Sequence, residues 1–161
     1  MRSNKIILSF VSALVILFST SVASFAKVVG DKIILGAAIS LTGKYSSNGV
    51  HTQNGYNMAV DRINSMGGVK VGGKTYKFDI IYYDDESNPK RAAQLAERLI
   101  SQDGVEFMLG PYSSGLTKAI APVTEKYGVP MVEANGASRS LFTKGYKLSL
   151  IHISEPTRRN S

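Results

Sequence analysis

Residues 106–132 read EFMLGPYSSGLTKAIAPVTEKYGVPMV, and this stretch decides the fold. It begins with a short apolar run, residues 106–109, which is consistent with a buried strand. A loop of glycine, proline and serine follows. Apolar residues then recur at helical spacing until Gly128, namely Leu116, Ala119, Ile120, Val123 and Tyr127. Residues 129–132 predict the next strand. Strand, helix and strand in this order indicate two parallel strands joined by a helix.

The same alternation extends toward the N-terminus. Residues 33–39 and 78–83 are apolar runs typical of buried strands. Two further helices are predicted by apolar stripes, one formed by Tyr56, Ala59, Val60, Ile63 and Met66, the other by Ala92, Leu95, Ala96, Leu99 and Ile100. Gly72-Gly73 indicates a hairpin between residues 69–71 and 75–77. The whole pattern predicts an α/β fold with a doubly wound, mostly parallel sheet.

In a doubly wound sheet, ligands bind outside the carboxyl ends of the strands. The loops at those ends are predicted at residues 40–49, 84–88, 110–114 and 133–139. They carry hydroxyl and amide side chains and few charges (Ser40, Thr42, Asn48, Ser113, Ser114, Asn135 and Ser138). This composition favours a small polar or zwitterionic ligand over acid–base chemistry.

Several functional classes are excluded by composition and by the absence of motifs. The chain has no cysteine and only two histidines, so disulfides, thiolate zinc sites and histidine-rich metal sites are excluded. The dinucleotide fingerprint, the complete phosphate loop and the G-x-S-x-G elbow are also missing. We therefore expect no catalytic residue, no metal and no cofactor. His51 is expected to be a surface residue, and Asp84, Asp85 and Glu86 are expected to serve the N-terminus of the following helix.

The charge of the chain does not indicate nucleic-acid binding. The formal net charge is +7, but residues 27–147 carry 15 basic and 11 acidic side chains, a net charge of +4. The basic residues are scattered along these residues and do not form a stripe. A solvated surface explains them better than a nucleic-acid interface.

Both ends of the chain differ from the predicted fold. Residues 1–26 have a basic start, an apolar run over residues 6–18 and the small-residue exit Ser24-Phe25-Ala26. This pattern predicts a signal peptide cleaved after Ala26, because the apolar run is short for a membrane span.

Residues 148–158, LSLIHISEPTR, resemble the translated end of a transposon-based sequencing-library adapter. We therefore expect a folded region over residues 27–147 and an artefactual tail over residues 148–161. The alternative is a natural strand over residues 148–153.

Five segments of the chain resemble periplasmic substrate-binding proteins of branched-chain amino acid ABC transporters. They are LTGKYSSNG, which follows the first predicted strand, GYNMAVDRINSMGGV, YYDDESNPKRAAQLAERLI, GPYSSGLTKAIAPVTEKYGVPMV and NGASRSLFTKGYK, and they occur in the family's order and spacing. The resemblance covers residues 31 to about 147. The resemblance implies the type I periplasmic-binding fold, in which a ligand is trapped between two hinged lobes. This chain would contain an incomplete first lobe.

The resemblance also implies roles for individual residues. Ser114 matches the serine whose hydroxyl and N–H hold the ligand carboxylate. Gly136 matches a carbonyl that accepts from the ligand ammonium, and Ser138 matches a hydroxyl that contacts the same group. Asn48 stands where the family often has an aromatic residue over the ligand. The family's implied partners are an amino-acid-like ligand and an inner-membrane ABC permease, and we expect a periplasmic monomer.

Tyr45, Tyr112 and Ser113 complete the predicted site. Tyr45 and Tyr112 are candidates for apolar walls, although ordinary loop packing would explain them equally well. Ser87 and Ser113 stand where some family members have a disulfide between two loops.

Two alternative functions stay open: a sensor domain of the same fold for amides, urea or carboxylates, and an exported α/β hydrolase. A fused membrane or signalling segment would favour the sensor, and ester or amide turnover would favour the hydrolase.

Overall fold

A computed structural model of the chain describes residues 27–133 and 135–151. The helices are α1 (Ser46–Ser65), α2 (Pro89–Ser101), α3 (Ser114–Tyr127) and the short α4 (Arg139–Phe142). The strands are β1 (Val28–Val29), β2 (Lys32–Ile39), β3 (Val69–Val71), β4 (Lys74–Asp84), β5 (Met108–Leu109), β6 (Met131–Glu133) and β7 (Ser149–Ile151).

The strands form one sheet in the order β3-β4-β2-β5-β6-β7, with β1 paired to β2. All neighbours from β4 to β7 are parallel, whereas β1 and β3 pair antiparallel with their neighbours. The chain proceeds from β2 outward to β4 and then returns to the other side of β2 at β5. The prediction of a doubly wound, mostly parallel sheet is confirmed, and its switch point lies between β2 and β5.

The core lies between one face of the sheet and the helices α2 and α3. Ile34 and Ala38 point to this face from β2, with Met108 from β5 and Met131 from β6. The stripes predicted for α2 and α3 supply the other side, with Leu99, Leu116 and Ile120 fully buried. The N-terminus of α2 is set by Asn88, whose side chain accepts from the N–H groups at residues 90 and 91.

The opposite face of the sheet is only partly covered. Helix α1 packs on it beside β4 and approaches β2 so closely at Gly49 that a Cβ there would lie 1.7 Å from the Ser40 carbonyl oxygen. The rest of the face is apolar and open, and we refer to it as the open apolar face (Ile33, Leu35, Val69, Val71, Phe78, Phe107, Leu109, Pro130 and Val132). Phe107 retains 42% of its exposure and Val132 retains 51%.

Several predicted boundaries were wrong. The return strand of the hairpin and the strand predicted at residues 78–83 form one continuous strand, β4. Helix α1 starts at Ser46, because the serines and asparagine of the predicted loop form its first turn. Strand β6 extends to Glu133, which had been assigned to a loop. Helix α4 had not been predicted.

The described residues exclude the N-terminal end of the chain and include part of its C-terminal end. The predicted signal peptide, residues 1–26, lies outside the described residues. Within residues 27–133 and 135–151, no helix has both the length and the apolar composition needed to cross a membrane. Residues 149–151 form β7, parallel to β6. A strand at this place agrees with the alternative prediction of a strand over residues 148–153. The adapter origin of residues 148–161 and the boundary after residue 147 stay predictions.

Candidate functional site

Two predicted site residues meet at the N-terminus of α3. Ser114 is the first residue of this helix, and its Oγ accepts a hydrogen bond from the Ser138 N–H at 3.0 Å. This bond leaves the hydroxyl hydrogen of Ser114 able to donate to a ligand. The Ser138 hydroxyl lies 2.8 Å from the hydroxyl of Ser140, and either can be the donor. The loops after β5 and β6 are therefore joined at their hydroxyl-bearing positions.

Ser113 shapes the start of α3. Its Oγ accepts from the Leu116 N–H at 3.3 Å, and its carbonyl accepts from the Thr117 N–H at 3.1 Å. Its φ of 85° is rare for a residue other than glycine, so the turn is held in place by its surroundings. The first turn of α3 carries no acidic side chain. The unpaired N–H groups and the helix dipole therefore favour an anion at Ser114.

Glu133 supports the loop that carries Gly136 and Ser138. It ends β6 with only 2% of its surface exposed. Its Oε1 accepts from the N–H groups of Asn135 and Gly136, the latter at 2.9 Å, and its Oε2 accepts from the Thr117 hydroxyl at 2.8 Å. One carboxylate thus connects β6, the loop after it and α3. This role of Glu133 was not predicted.

The carboxylate of Glu133 fits only because Gly110 has no side chain. A Cβ at Gly110 would lie 2.0 Å from Glu133 Oε2. The carbonyl of Gly110 accepts from the Tyr56 hydroxyl at 2.6 Å, which links α1 to the same cluster. The pKa of Tyr56 lies well above its ordinary value, mainly because the hydroxyl is buried and secondly because Glu133 is negatively charged. A glycine at the end of one strand and an acidic residue at the end of the next are the sequence signal for this pairing.

Tyr45 and Tyr112 face each other across the switch point of the sheet. Their ring centroids are 5.8 Å apart and the ring planes make an angle of 65°, an edge-to-face contact. The Lys44 ammonium lies 4.6 Å from the centre of the Tyr45 ring. The two rings thus form one wall at the carboxyl ends of β2 and β5.

Asp84 and Asp85, at the end of β4, hold the loop after β2, so the prediction that they serve the N-terminus of α2 was wrong for these two residues. Glu86 does contact the first turn of α2, through an ion pair of 3.3 Å with Arg91. Asp84 accepts from the N–H groups of Leu41 and Thr42 and, at 2.7 Å, from the Thr42 hydroxyl. Burial by itself raises the pKa of Asp84. The Thr42 hydroxyl and the backbone N–H donors outweigh this effect, so the pKa lies below its ordinary value. The side-chain cap of α2 is Asn88, because the Asp84 carboxylate turns back toward the neighbouring strand.

Asp85 and Ser87 also connect the loop after β4 to the loop after β2. Asp85 is fully buried and accepts from the Ser40 hydroxyl at 2.6 Å and from the Ser87 N–H at 2.8 Å. Burial dominates here and raises the pKa of Asp85. The Ser87 hydroxyl donates to the Thr42 carbonyl at 2.8 Å and accepts from the Tyr45 N–H at 3.0 Å. Ser87 therefore stabilises the loop that carries Tyr45.

A cavity of about 410 Å³ lies between α1 and the loops after β5 and β6. Its walls include the predicted site residues Asn48 and Tyr112, together with His51, Thr52, Gly55, Tyr56 and Asn135. His51 is exposed, as predicted, but it lines this cavity. The spacing of residues 48, 51, 52 and 55 places them on one helical face, a signal that the sequence analysis did not use.

The groups at the site are suited to binding a small polar molecule. The described residues contain no group of three or more histidine, aspartate or glutamate side chains able to hold a metal ion. The carboxylates near the site are engaged with backbone N–H and hydroxyl donors, as Asp84 and Glu133 illustrate. What the loops offer to solvent is a helix N-terminus, hydroxyl groups and amides.

A family model described as periplasmic binding protein matches residues 32–151. The chain is 30% identical over 130 residues to the leucine-, isoleucine-, valine-, threonine- and alanine-binding protein of Pseudomonas aeruginosa, with 80% of this chain and 34% of that protein covered. It is 33% identical over 131 residues to the Leu/Ile/Val-binding protein BraC3 of Rhizobium johnstonii, with the same coverage. The chain thus spans about a third of the length of these relatives.

Solved structures show the same similarity. The branched-chain amino acid transporter substrate-binding protein LivJ of Streptococcus pneumoniae, in complex with isoleucine, matches with a TM-score of 0.67 and 31% identity. The match covers 74% of this chain and 33% of that one. A leucine-binding protein LivK from Thermotoga maritima matches with a TM-score of 0.62 and 26% identity, over 73% of this chain and 31% of that one.

Proposed function

The chain belongs to the periplasmic binding protein family, and on that premise we propose that the full-length protein is the solute-binding component of an ABC transporter. It captures an amino acid or a related small polar solute in the periplasm and delivers it to an inner-membrane permease. The residues of this chain form one wall of the binding cleft. The proposal includes no chemical step, and the protein acts as a monomer exported by the predicted signal peptide.

The N-terminus of α3 is the observation that carries this proposal. Ser114 presents a backbone N–H and a hydroxyl at the positive end of a helix of 14 residues, where a carboxylate is favoured. Because Ser114 Oγ already accepts from the Ser138 N–H, its own hydrogen is directed elsewhere. An α-carboxylate placed there receives a charge-assisted hydrogen bond from that hydroxyl and a second bond from the N–H group.

The loop after β6 supplies acceptors for the ligand ammonium. Glu133 accepts from the N–H of Gly136, which fixes the peptide plane between residues 135 and 136 and restrains the position of Gly136 in the loop. In our proposal the Gly136 carbonyl and the Ser138 hydroxyl accept from the ammonium. The carboxylate and the ammonium of one α-amino acid are thereby recognised by two loops that a single hydrogen bond already connects.

Closure of a second lobe over this wall completes the proposed mechanism. The loops of the first lobe leave one side of a bound ligand in contact with water, which weakens each polar contact through the high local dielectric constant. A second lobe that closes about a hinge removes this water and adds its own contacts. Ligand binding is thereby coupled to the closed shape that a permease can distinguish from the open one.

Calorimetric titration of the full-length protein with α-amino acids tests the proposal. We expect saturable binding of at least one amino acid. Ser114→Ala should weaken it about ten- to a hundredfold, because a hydrogen bond to a charged group contributes roughly 1.5–3 kcal/mol. Ser65→Ala is the matched control, since the Ser65 hydroxyl donates only to the Arg62 carbonyl at the far end of α1. Absence of binding by every amino acid, or equal affinity of Ser114→Ala and the natural protein, would contradict the proposal.

A further inference from the structure

We propose that the cavity beside α1 is a subsite for the ligand side chain, and that it selects a side chain with an amide or hydroxyl group over a branched aliphatic one. This inference rests on the proposed function and specifies the class of solute. The cavity of about 410 Å³ has the size of a small-molecule site, for which about 300–1,000 Å³ is usual.

The position of the cavity connects it to the proposed site for the ligand's charged groups. Tyr112, on one wall, precedes Ser114 by two residues, and Asn135, on another wall, is bonded directly to Gly136. A ligand whose carboxylate and ammonium occupy the N-terminus of α3 and the loop after β6 therefore has this cavity as its neighbour. The cavity faces the side of the sheet on which α1 packs, away from the α2–α3 core.

The cavity walls carry several polar side chains beside the rings of Tyr56 and Tyr112. The helical face of α1 presents Asn48, His51 and Thr52, and the loop after β6 presents Asn135. Thr52 donates to the Asn48 carbonyl at 2.9 Å and lies 3.4 Å from the Asn135 amide nitrogen. Among the residues that the structure describes, the side-chain amide of Asn48 and the imidazole of His51 make no hydrogen bond. Donors and acceptors are thus available to a ligand.

The free-energy cost of removing water from these polar groups determines which ligand side chains the cavity favours. An aliphatic side chain in the cavity displaces water from Asn48, His51 and Asn135 and offers no hydrogen bond in return. An amide or hydroxyl group replaces the lost water contacts. A site built for hydrogen bonding discriminates strongly against an analogue that lacks the polar group. Because these walls are partly exposed, we expect a preference of about tenfold or more, not the larger factors of a fully buried site.

Gly55 keeps the cavity open and provides a way to close it. A Cβ at Gly55 would meet no atom within 4 Å, and its φ does not lie in the left-handed region. A larger side chain at this position can therefore extend into the cavity without displacing the backbone. Ala59, one turn further along α1, is exposed and does not line the cavity, so it offers a matched position for the same substitution.

The experiment compares L-glutamine, L-asparagine and L-threonine with L-leucine, L-isoleucine and L-valine by calorimetric titration of the full-length protein. We expect the tightest polar amino acid to bind about tenfold or more tightly than every aliphatic one. Gly55→Leu should weaken its binding at least tenfold, and Ala59→Leu should leave it unchanged.

The possible results separate this inference from the proposed function. Equal or tighter binding of L-leucine, L-isoleucine or L-valine overturns the polar subsite and leaves the proposed function intact. Polar selectivity that is unaffected by Gly55→Leu overturns the assignment of the selectivity to this cavity. If none of the six amino acids binds, the polar subsite is overturned, and the wider amino-acid panel then decides the proposed function.

Discussion

Replacing Glu133 is expected to disrupt the support of the loop after β6. Glu133→Ala removes the acceptor for the N–H groups of Asn135 and Gly136 and for the Thr117 hydroxyl. These three donors differ in whether another acceptor can replace the Glu133 carboxylate. Asn135 is exposed, so water can replace its partner, and the Thr117 hydroxyl can turn fully toward the Ser113 carbonyl, 2.9 Å away. Gly136 is buried, and its N–H is left without an acceptor.

The expected loss follows from these differences. A buried donor without an acceptor costs roughly 1–3 kcal/mol, and the truncated side chain leaves a cavity that adds to this. We therefore expect Glu133→Ala to lower the free energy of unfolding by about 2–4 kcal/mol. Glu133→Gln should lose only about 1 kcal/mol, because its amide oxygen can accept from both N–H groups and its amide nitrogen can donate to the Thr117 oxygen.

Urea unfolding of the full-length protein, followed by circular dichroism, measures both variants. Glu97→Ala is the control, because the Glu97 carboxylate forms exposed contacts with Lys126 and Tyr127. Exposed ion pairs contribute about 0–1 kcal/mol. If Glu133→Ala and Glu97→Ala lose the same stability, or if Glu133→Gln is as damaging as Glu133→Ala, the supporting role assigned to this carboxylate is refuted.

Three other contacts give measurable outcomes. Because the pKa of Asp84 is lowered from 3.8 in the folded state, its carboxylate stabilises the fold above that pH and the contribution is lost as the pH falls through the folded pKa. Asp84→Asn should therefore be less stable than the natural protein at pH 7 in urea unfolding, and a difference that does not shrink below about pH 4 would contradict this. Gly49→Ala should destabilise the fold by about 1–3 kcal/mol or more through its clash with Ser40, whereas Gly55→Ala, which meets open space, should be neutral or stabilising in thermal unfolding. The polypeptide of residues 27–161 should bind a hydrophobic dye through the open apolar face, and an unchanged dye signal after Phe107→Lys would show that this face is not the binding surface.

The sequence predicted those parts of the fold that depend on local periodicity. The stripes of α2 and α3 recur every three to four residues, and Asn88 and Gly128 mark a helix start and a helix end by local backbone chemistry. These features need no knowledge of neighbouring strands. The parallel arrangement of the strands could be predicted because strands that alternate with helices form strand–helix–strand units.

The contacts that support the site could not be predicted in the same way. Glu133 contacts Gly110 because β5 and β6 are neighbours, and residues 110 and 133 are far apart in the chain. Asp84 binds the loop at Thr42 because β4 and β2 pair in register. The sequence placed both carboxylates in loops, where a helix N-terminus was the nearest visible partner. His51 was likewise assigned to the surface, because only the packing of α1 beside the loop of Tyr112 forms the cavity.

The most direct test of the central claim is a crystal structure of the full-length protein with a bound α-amino acid. The decisive quantity is the distance from a ligand carboxylate oxygen to the N and Oγ atoms of Ser114. We predict hydrogen-bond distances of about 2.7–3.2 Å for both atoms, with the ligand ammonium at the Gly136 carbonyl. A ligand bound with its carboxylate away from the N-terminus of α3, or with these two groups exchanged, would contradict the account.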